Sequence, residues 1–348
     1  MPNLYILGAG CSANYSESTH GIHGLESPLN ADFFTMARLV IENSGMKSDT
    51  LFMEEIDVLV RTIAPLYRCK SDLSLFDDPA LNLEDVMTML DIEFRLFSPP
   101  AAQRLGQNES RPLRALKDLL ARTLDYALMG PPCAKHRSLA KRMKPDDVVL
   151  SLNYDVLIDN ALFDLGKATD SGYRMDFFKV KQDGECVNPS FDRSEVSLFK
   201  LHGSLNWIRC SLCGSLLLYR YRKQALDDVG LFRCPRCGSD ESCVERVMIP
   251  PIQSKDYRDK DIAFLWVQAD RMMKEEFSRI VCIGYSFSPL DFDMGSLMRR
   301  LGTRQTRIPE VDFVSRDTGR QAEKRLMDLI GTARINRFEN LSRYLEST

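Results

Sequence analysis

The sequence has no apolar run near the ~20 residues that a helix needs to cross a bilayer, so no membrane span is expected. Its opening, MPNLYILGAG, lacks a basic start and turns into glycine after one short apolar run, unlike a secretion signal. Net charge is nearly absent, at −3, which removes any global pull toward nucleic acid or an anionic surface. No repeat period or low-complexity tract is present, which argues against a solenoid, a propeller or a disordered tail. Histidine is scarce: with only four in 348 residues, each imidazole can be weighed on its own. What remains, 44% hydrophobic and 27% charged, is ordinary globular composition, enough for one large domain with insertions or for two.

Cysteine, by contrast, is plentiful. Ten cysteines without an export signal point to the cytoplasm, where clustered thiols mean metal or reactivity rather than disulfides. Cys210-x-x-Cys213 and Cys234-x-x-Cys237 form two knuckles, each short turn aiming two sulfurs at one point. Four thiolates suit tetrahedral Zn²⁺ and leave no open position, so the expected metal is structural. Arg209, Arg220, Arg222, Lys223, Arg233 and Arg236 make this stretch basic. A solvated charged face is the expectation there, with nucleic acid as the weaker alternative.

The stretch LFKLHGSLNWIRCSLC, from Leu198 to Cys213, organises the rest. An apolar run over residues 196–201 has strand length and ends at His202-Gly203. A histidine there stands where a parallel sheet presents ligand-binding groups. Two other runs end in the same way. NLYIL at 3–7 feeds Gly8, Ala9, Gly10, Ser12 and Ala13, a G-x-G-x-x-A turn that lets backbone approach a phosphate, or a plain strand-to-helix turn. DVVLSL at 147–152 runs into Asn153 and Asp155, which also suit helix capping. RIVCI ends at Gly284-Tyr285-Ser286, and the run 311–314 ends at Ser315. Residues 14–30 are polar and broken by Pro28, so the acidic second strand of an ordinary dinucleotide fold is missing. Residues 31–144 carry apolar positions at helical spacing throughout. The expected fold is α/β, a Rossmann-like doubly wound parallel sheet over 1–30, 147–208 and 248–348. A helical insertion at 31–146 and a four-cysteine zinc ribbon at 209–247 would complete it.

Taken in order, GAGCS, LNYD, KLHGS, the four-cysteine ribbon, and IGYS followed by VDFVS resemble the sirtuin family, NAD-consuming proteins of the silent-information-regulator type. The resemblance covers about 1–16, 147–250 and 280–316. It departs where Gly21-Ile22 leads into His23-Gly24-Leu25 rather than Pro-Asp-Phe-Arg. It departs again where Leu152 replaces the glutamine before Asn153, and where no Phe-Gly-Glu segment follows Pro250-Pro251. The lost parts concern mainly an acyl-lysine acceptor and the retained parts mainly NAD. That pattern looks like the divergent bacterial branch implicated in antiphage defence, whose members hydrolyse NAD⁺.

The resemblance implies that NAD is a substrate. Asn153 would hold the ribose or a water, and Asp155 the nicotinamide amide or its own loop. His202 would be the base, and Gly8, Ala9, Gly10 and Ser12 would cradle the pyrophosphate. Gly284, Ser286 and Ser315 would line the adenosine half. His20, His23 and His136 are expected bystanders. An NAD⁺ glycohydrolase is therefore expected, with a deacylase or a non-catalytic NAD or ADP-ribose sensor as alternatives. A toxic hydrolase would need restraint by a protein partner or by homo-oligomerisation.

Overall fold

The computed structural model describes residues 1–13, 15, 31–97, 110–168, 173–180, 186–187, 194–219, 234–239, 244–249, 260–307, 309–317, 319–331 and 333–347. His20, His23, Cys243, Pro250-Pro251 and the whole basic stretch 220–233 lie outside these residues. The chain divides into two compact units, one of residues 1–17, 131–249 and 256–348, the other of 18–130 and 250–255.

The first unit is built on six strands that pair only in parallel: β1 (Asn3–Leu7), β2 (Val148–Ser151), β5 (Ser197–Lys200), β9 (Arg279–Ile283), β10 (Glu310–Val314) and β11 (Ile335–Phe338). Their spatial order is β11-β10-β9-β1-β2-β5. The chain thus starts in the middle, builds outward to β5, then returns to the other side of β1 and builds outward again. β1, β2, β5, β9 and β10 are buried along nearly their whole length, which is why they read as continuous apolar runs instead of alternating ones.

A second sheet is built from strands that lie on both sides of β5 in the chain. Its order is β4-β3-β7-β6-β8, from β3 (Phe178–Val180), β4 (Cys186–Val187), β6 (Gly203–Cys210), β7 (Leu216–Tyr219) and β8 (Val244–Met248). β6 begins directly after His202. Gly203 is required there: its φ is +80°, and a Cβ would lie 2.1 Å from the Val247 carbonyl oxygen. Residues 209–247, expected as a zinc ribbon, are grouped with the first unit. Tyr173 meets Trp207 and Phe177 edge-on, and Phe177 lies tilted against Trp207, all three fully buried.

Residues 131–146, grouped above with the helical insertion, also belong to the first unit. Helix 134–142 packs on helix 157–164 and on helix 341–346. The second unit holds helices 33–43, 50–67, 83–97 and 111–127, with 50–67 lying along 111–127. Local capping sets their starts: Asp49 accepts from the Phe52 amide at 3.0 Å, Asn82 from Asp85 at 2.8 Å and Ser110 from Leu113 at 3.2 Å. Among the described residues no helix is long and apolar enough to cross a membrane.

Candidate functional site

All the proposed stations fall on one rim, because parallel strands end on the same side. Gly8 follows β1, Asn153 follows β2, His202 follows β5, Gly284 follows β9 and Ser315 follows β10. Backbone bonds stitch the rim: Gly8 N–H to Ile283 O at 3.0 Å, Leu152 N–H to Leu7 O at 2.9 Å, Leu201 N–H to Ser151 O at 3.1 Å and Gly284 N–H to Val314 O at 2.9 Å. The chain direction of the build reverses between β1 and β9. In open parallel sheets the crevice at such a reversal is where ligands bind.

The glycine turn has a different reason from the one its sequence suggests. A Cβ on Gly8 would stand 2.5 Å from Tyr285 Cα, and one on Gly10 would stand 2.9 Å from Gly284 Cα. The close approach that these glycines permit is to the neighbouring 284–285 turn. Their amides are also spent internally: Gly8 N–H on Ile283 O, Gly10 N–H on Gly284 O and Cys11 N–H on Gly8 O. Ala9, Ser286 and, partly, Gly10, Gly284 and Ser315 remain open to solvent.

Ser12, Asn153 and Asp155 form one buried knot. The Ser12 hydroxyl donates to Asp155 Oδ2 at 2.6 Å. The Asn153 amide donates to Ser12 Oγ at 3.1 Å and to Gly8 O at 2.9 Å. Asp155 Oδ1 accepts the Leu157 amide at 3.0 Å, opening helix 157–164. So both carboxylate oxygens of Asp155 steady the loop, and both amide hydrogens of Asn153 are committed. The group that Asn153 has left to offer a ligand is its carbonyl oxygen, an acceptor.

Beneath the knot lies a charge pair with no solvent exposure at either side chain. Lys200 Nζ sits 3.1 Å from Asp159 Oδ2 and also donates to the Asp155 carbonyl. Tyr173 donates to Asp159 Oδ1 at 2.6 Å. Burial raises the Asp159 carboxyl above its ordinary range, and Lys200 pulls the other way. The pair fastens the strand carrying His202 to the loop carrying Asn153.

His202 is buried, its ring centroid 6.4 Å from that of Tyr154. Its Nε2 stands 3.4 Å from Asp291 Oδ2. Asp291 precedes helix 292–304, which follows β9, three strands from β5 in the sheet. At the usual strand spacing that is about 14 Å. The segment 285–291 therefore reaches across the ends of β1 and β2. Asp291 escaped the sequence reading, although an aspartate opening a helix was visible as a cap.

His136, expected as a bystander, lies 1% exposed between two buried thiols, with Nε2 3.4 Å from Cys11 Sγ and Nδ1 3.1 Å from Cys133 Sγ. Burial pushes the Cys11 thiol well up, and Asp155 adds to it, so this cysteine stays a neutral packing group beside the turn.

The four knuckle cysteines converge as their spacing predicts, and they could hold a metal ion such as zinc. Cys210 and Cys237 sulfurs are 3.6 Å apart and those of Cys213 and Cys234 are 3.5 Å apart. That is close to the ~3.8 Å edge of a tetrahedron with Zn–S of about 2.3 Å. The two knuckles share the pattern C-x-x-C-G-S and the same backbone closure. Gly214 and Gly238 each donate to the first cysteine of their knuckle at 2.8 Å. Ser239 is 3.2 Å from both Cys210 and Cys237 sulfurs. Its hydroxyl and amide hold the Cys237 thiol below its ordinary range, whereas burial pushes Cys234 up to about 12. A bound cation would bring all four to thiolate. The purified protein is expected to carry one zinc per chain by elemental analysis. Cys213→Ser or exhaustive chelation is expected to lower the thermal midpoint, and a metal-free wild type of unchanged midpoint would refute a structural metal.

No protein-family model matches the chain, and no curated protein matches it.

Proposed function

We propose that the protein is a sirtuin-like NAD⁺ glycohydrolase acting through the Rossmann-like rim, with NAD depletion in antiphage defence as its setting. The observation that supports this reading best is the placing of Asn153 and His202 on one rim, at the ends of neighbouring strands, beside the Gly8–Gly10 turn. The order of the six strands, third-second-first-fourth-fifth-sixth along the chain, is that of dinucleotide-binding sheets.

The chemistry asks little of the protein. Nicotinamide in NAD⁺ is cationic, so the C1′–N bond can break with its electron pair passing to the pyridine ring, and no general acid is needed. The ribose becomes oxocarbenium-like, as in glycoside cleavage. A water oxygen then bonds to C1′, and its proton must go to a base. The carbonyl oxygen of Asn153 suits a water or ribose hydroxyl as donor, and His202 suits the proton acceptor. Ala9, Gly10, Ser286 and Ser315 are the rim positions open enough to meet the rest of the dinucleotide. Ser12 and Asp155, both buried in their mutual hydrogen bond, serve by holding the Asn153 loop.

The test is product analysis after incubation with NAD⁺, with and without an acetyl-lysine peptide. Nicotinamide and ADP-ribose are expected without peptide. His202→Ala and Asn153→Ala are each expected to lower turnover at least about 100-fold. Peptide-dependent release of nicotinamide would move the reading to a deacylase, and tight NAD binding with no release to a sensor.

A further inference from the structure

We infer that Asp291 is a positioning residue for His202, held in place by Tyr285, its carboxylate facing Nε2 of the imidazole. This rests on the hydrolase reading for its catalytic consequence, but the pairing itself is a property of the fold.

Asp291 is only 8% exposed and is held from three directions. The Tyr285 hydroxyl donates to its Oδ2 at 2.6 Å. The Met294 amide approaches its Oδ1 at 3.4 Å, the N-cap contact of helix 292–304, and a helix start favours negative charge. His202 Nε2 faces Oδ2 at 3.4 Å, long for a neutral hydrogen bond but within ion-pair reach. The carboxylate therefore counts for little while the imidazole is neutral and for more once it is protonated.

Neighbouring charged and titratable groups have partners of their own. On the strand that carries His202, Lys200 is spent on Asp159 and the Asp155 carbonyl. From the loop after β2, Tyr154 gives its hydroxyl to Ile249 O at 2.5 Å, and Asp155 is bound to Ser12 and the Leu157 amide. From the end of β8, Ile249 donates its amide to the His202 carbonyl at 2.9 Å. Asp291 is a described carboxylate within ion-pair reach of the imidazole.

During hydrolysis the attacking water's O–H bond breaks and its proton passes to His202, which becomes an imidazolium and later returns the proton to solvent. The electron pair of the broken C1′–N bond leaves with nicotinamide. Asp291 faces the ring before the step and offsets its charge after it. Tyr285 also packs edge-on against Phe287, ring centroids 4.6 Å apart, which fixes the hydroxyl that holds Asp291.

Asp291→Asn is the informative variant, because asparagine caps a helix as well as aspartate does. With only four histidines, the imidazole of His202 can be followed by NMR in full-length protein labelled at histidine and assigned with H202Q. In D291N its titration midpoint is expected to fall by about one pH unit, a tenfold loss of proton affinity. kcat for NAD⁺ is expected to fall on the order of 100-fold with KM within about twofold. Tyr285→Phe is expected to lower kcat less, by roughly 3–10-fold. A merely structural role would lower the thermal midpoint of D291N and leave the titration of His202 in place. An unmoved midpoint in folded D291N overturns the pairing, even if wild type hydrolyses NAD⁺. A midpoint that falls in a protein releasing no nicotinamide upholds the pairing and removes the hydrolase reading instead.

Discussion

Lys200→Met is expected to destabilise the protein by about 3–5 kcal/mol, read as a drop in the urea midpoint at unchanged slope. The size follows from burial. Lys200 and Asp159 are both without solvent exposure, and methionine would leave the Asp159 carboxylate with Tyr173 alone. An unpaired buried charge must either be tolerated at that cost or take up a proton. The double variant Lys200→Met with Asp159→Leu is expected to recover most of the loss, because desolvating two charges costs nearly as much as their attraction returns. The cycle separates stability from function. Lys200 also donates to the Asp155 carbonyl, so the double variant is expected to stay folded yet hydrolyse NAD⁺ more slowly. A single variant as stable as wild type would show that the pair contributes nothing net.

Gly284→Ala is the second large effect, expected to cost more than about 4 kcal/mol and to leave little soluble protein. Gly284 has φ +62°, where a side chain is strained, and a Cβ would sit 2.3 Å from Cys11 N. The overlapping atoms are backbone, pinned by the rim hydrogen bonds Gly10 N–H to Gly284 O and Gly284 N–H to Val314 O. No rotamer change can relieve that overlap. Gly295→Ala is the contrast. It lies inside helix 292–304, where a Cβ would meet nothing nearer than Leu329 at 3.7 Å, so alanine is expected to stabilise by up to about 1 kcal/mol. Equal behaviour of the two variants in thermal unfolding would refute the steric account.

The sheet was legible strand by strand because a strand buried on both faces is a continuous apolar run, and five of its six members are buried that way. The four-cysteine cluster was legible because two short C-x-x-C turns define their own geometry before any tertiary contact forms. β6 was missed. Its sequence GSLNWIRC mixes polar and apolar residues, yet nearly all of it is buried. The hydroxyl and amide groups of Ser204 and Asn206 hid that burial.

The glycine turn teaches a related point. A G-x-G pattern reports that backbone comes close to something, not what comes close. Here it is Gly284 and Tyr285, brought from almost the other end of the chain.

The sequence alone determined the class of fold, which residues stand at the strand ends and which four cysteines converge, because each depends on local period or spacing. Only the tertiary structure decided which amide hydrogens of the turn are spent, which oxygen of Asn153 is left and which carboxylate meets His202. Those are questions of partner choice between segments far apart in the chain. Sequence spacing carries no record of them, since a hydrogen bond depends on where two groups finally lie and not on how many residues separate them.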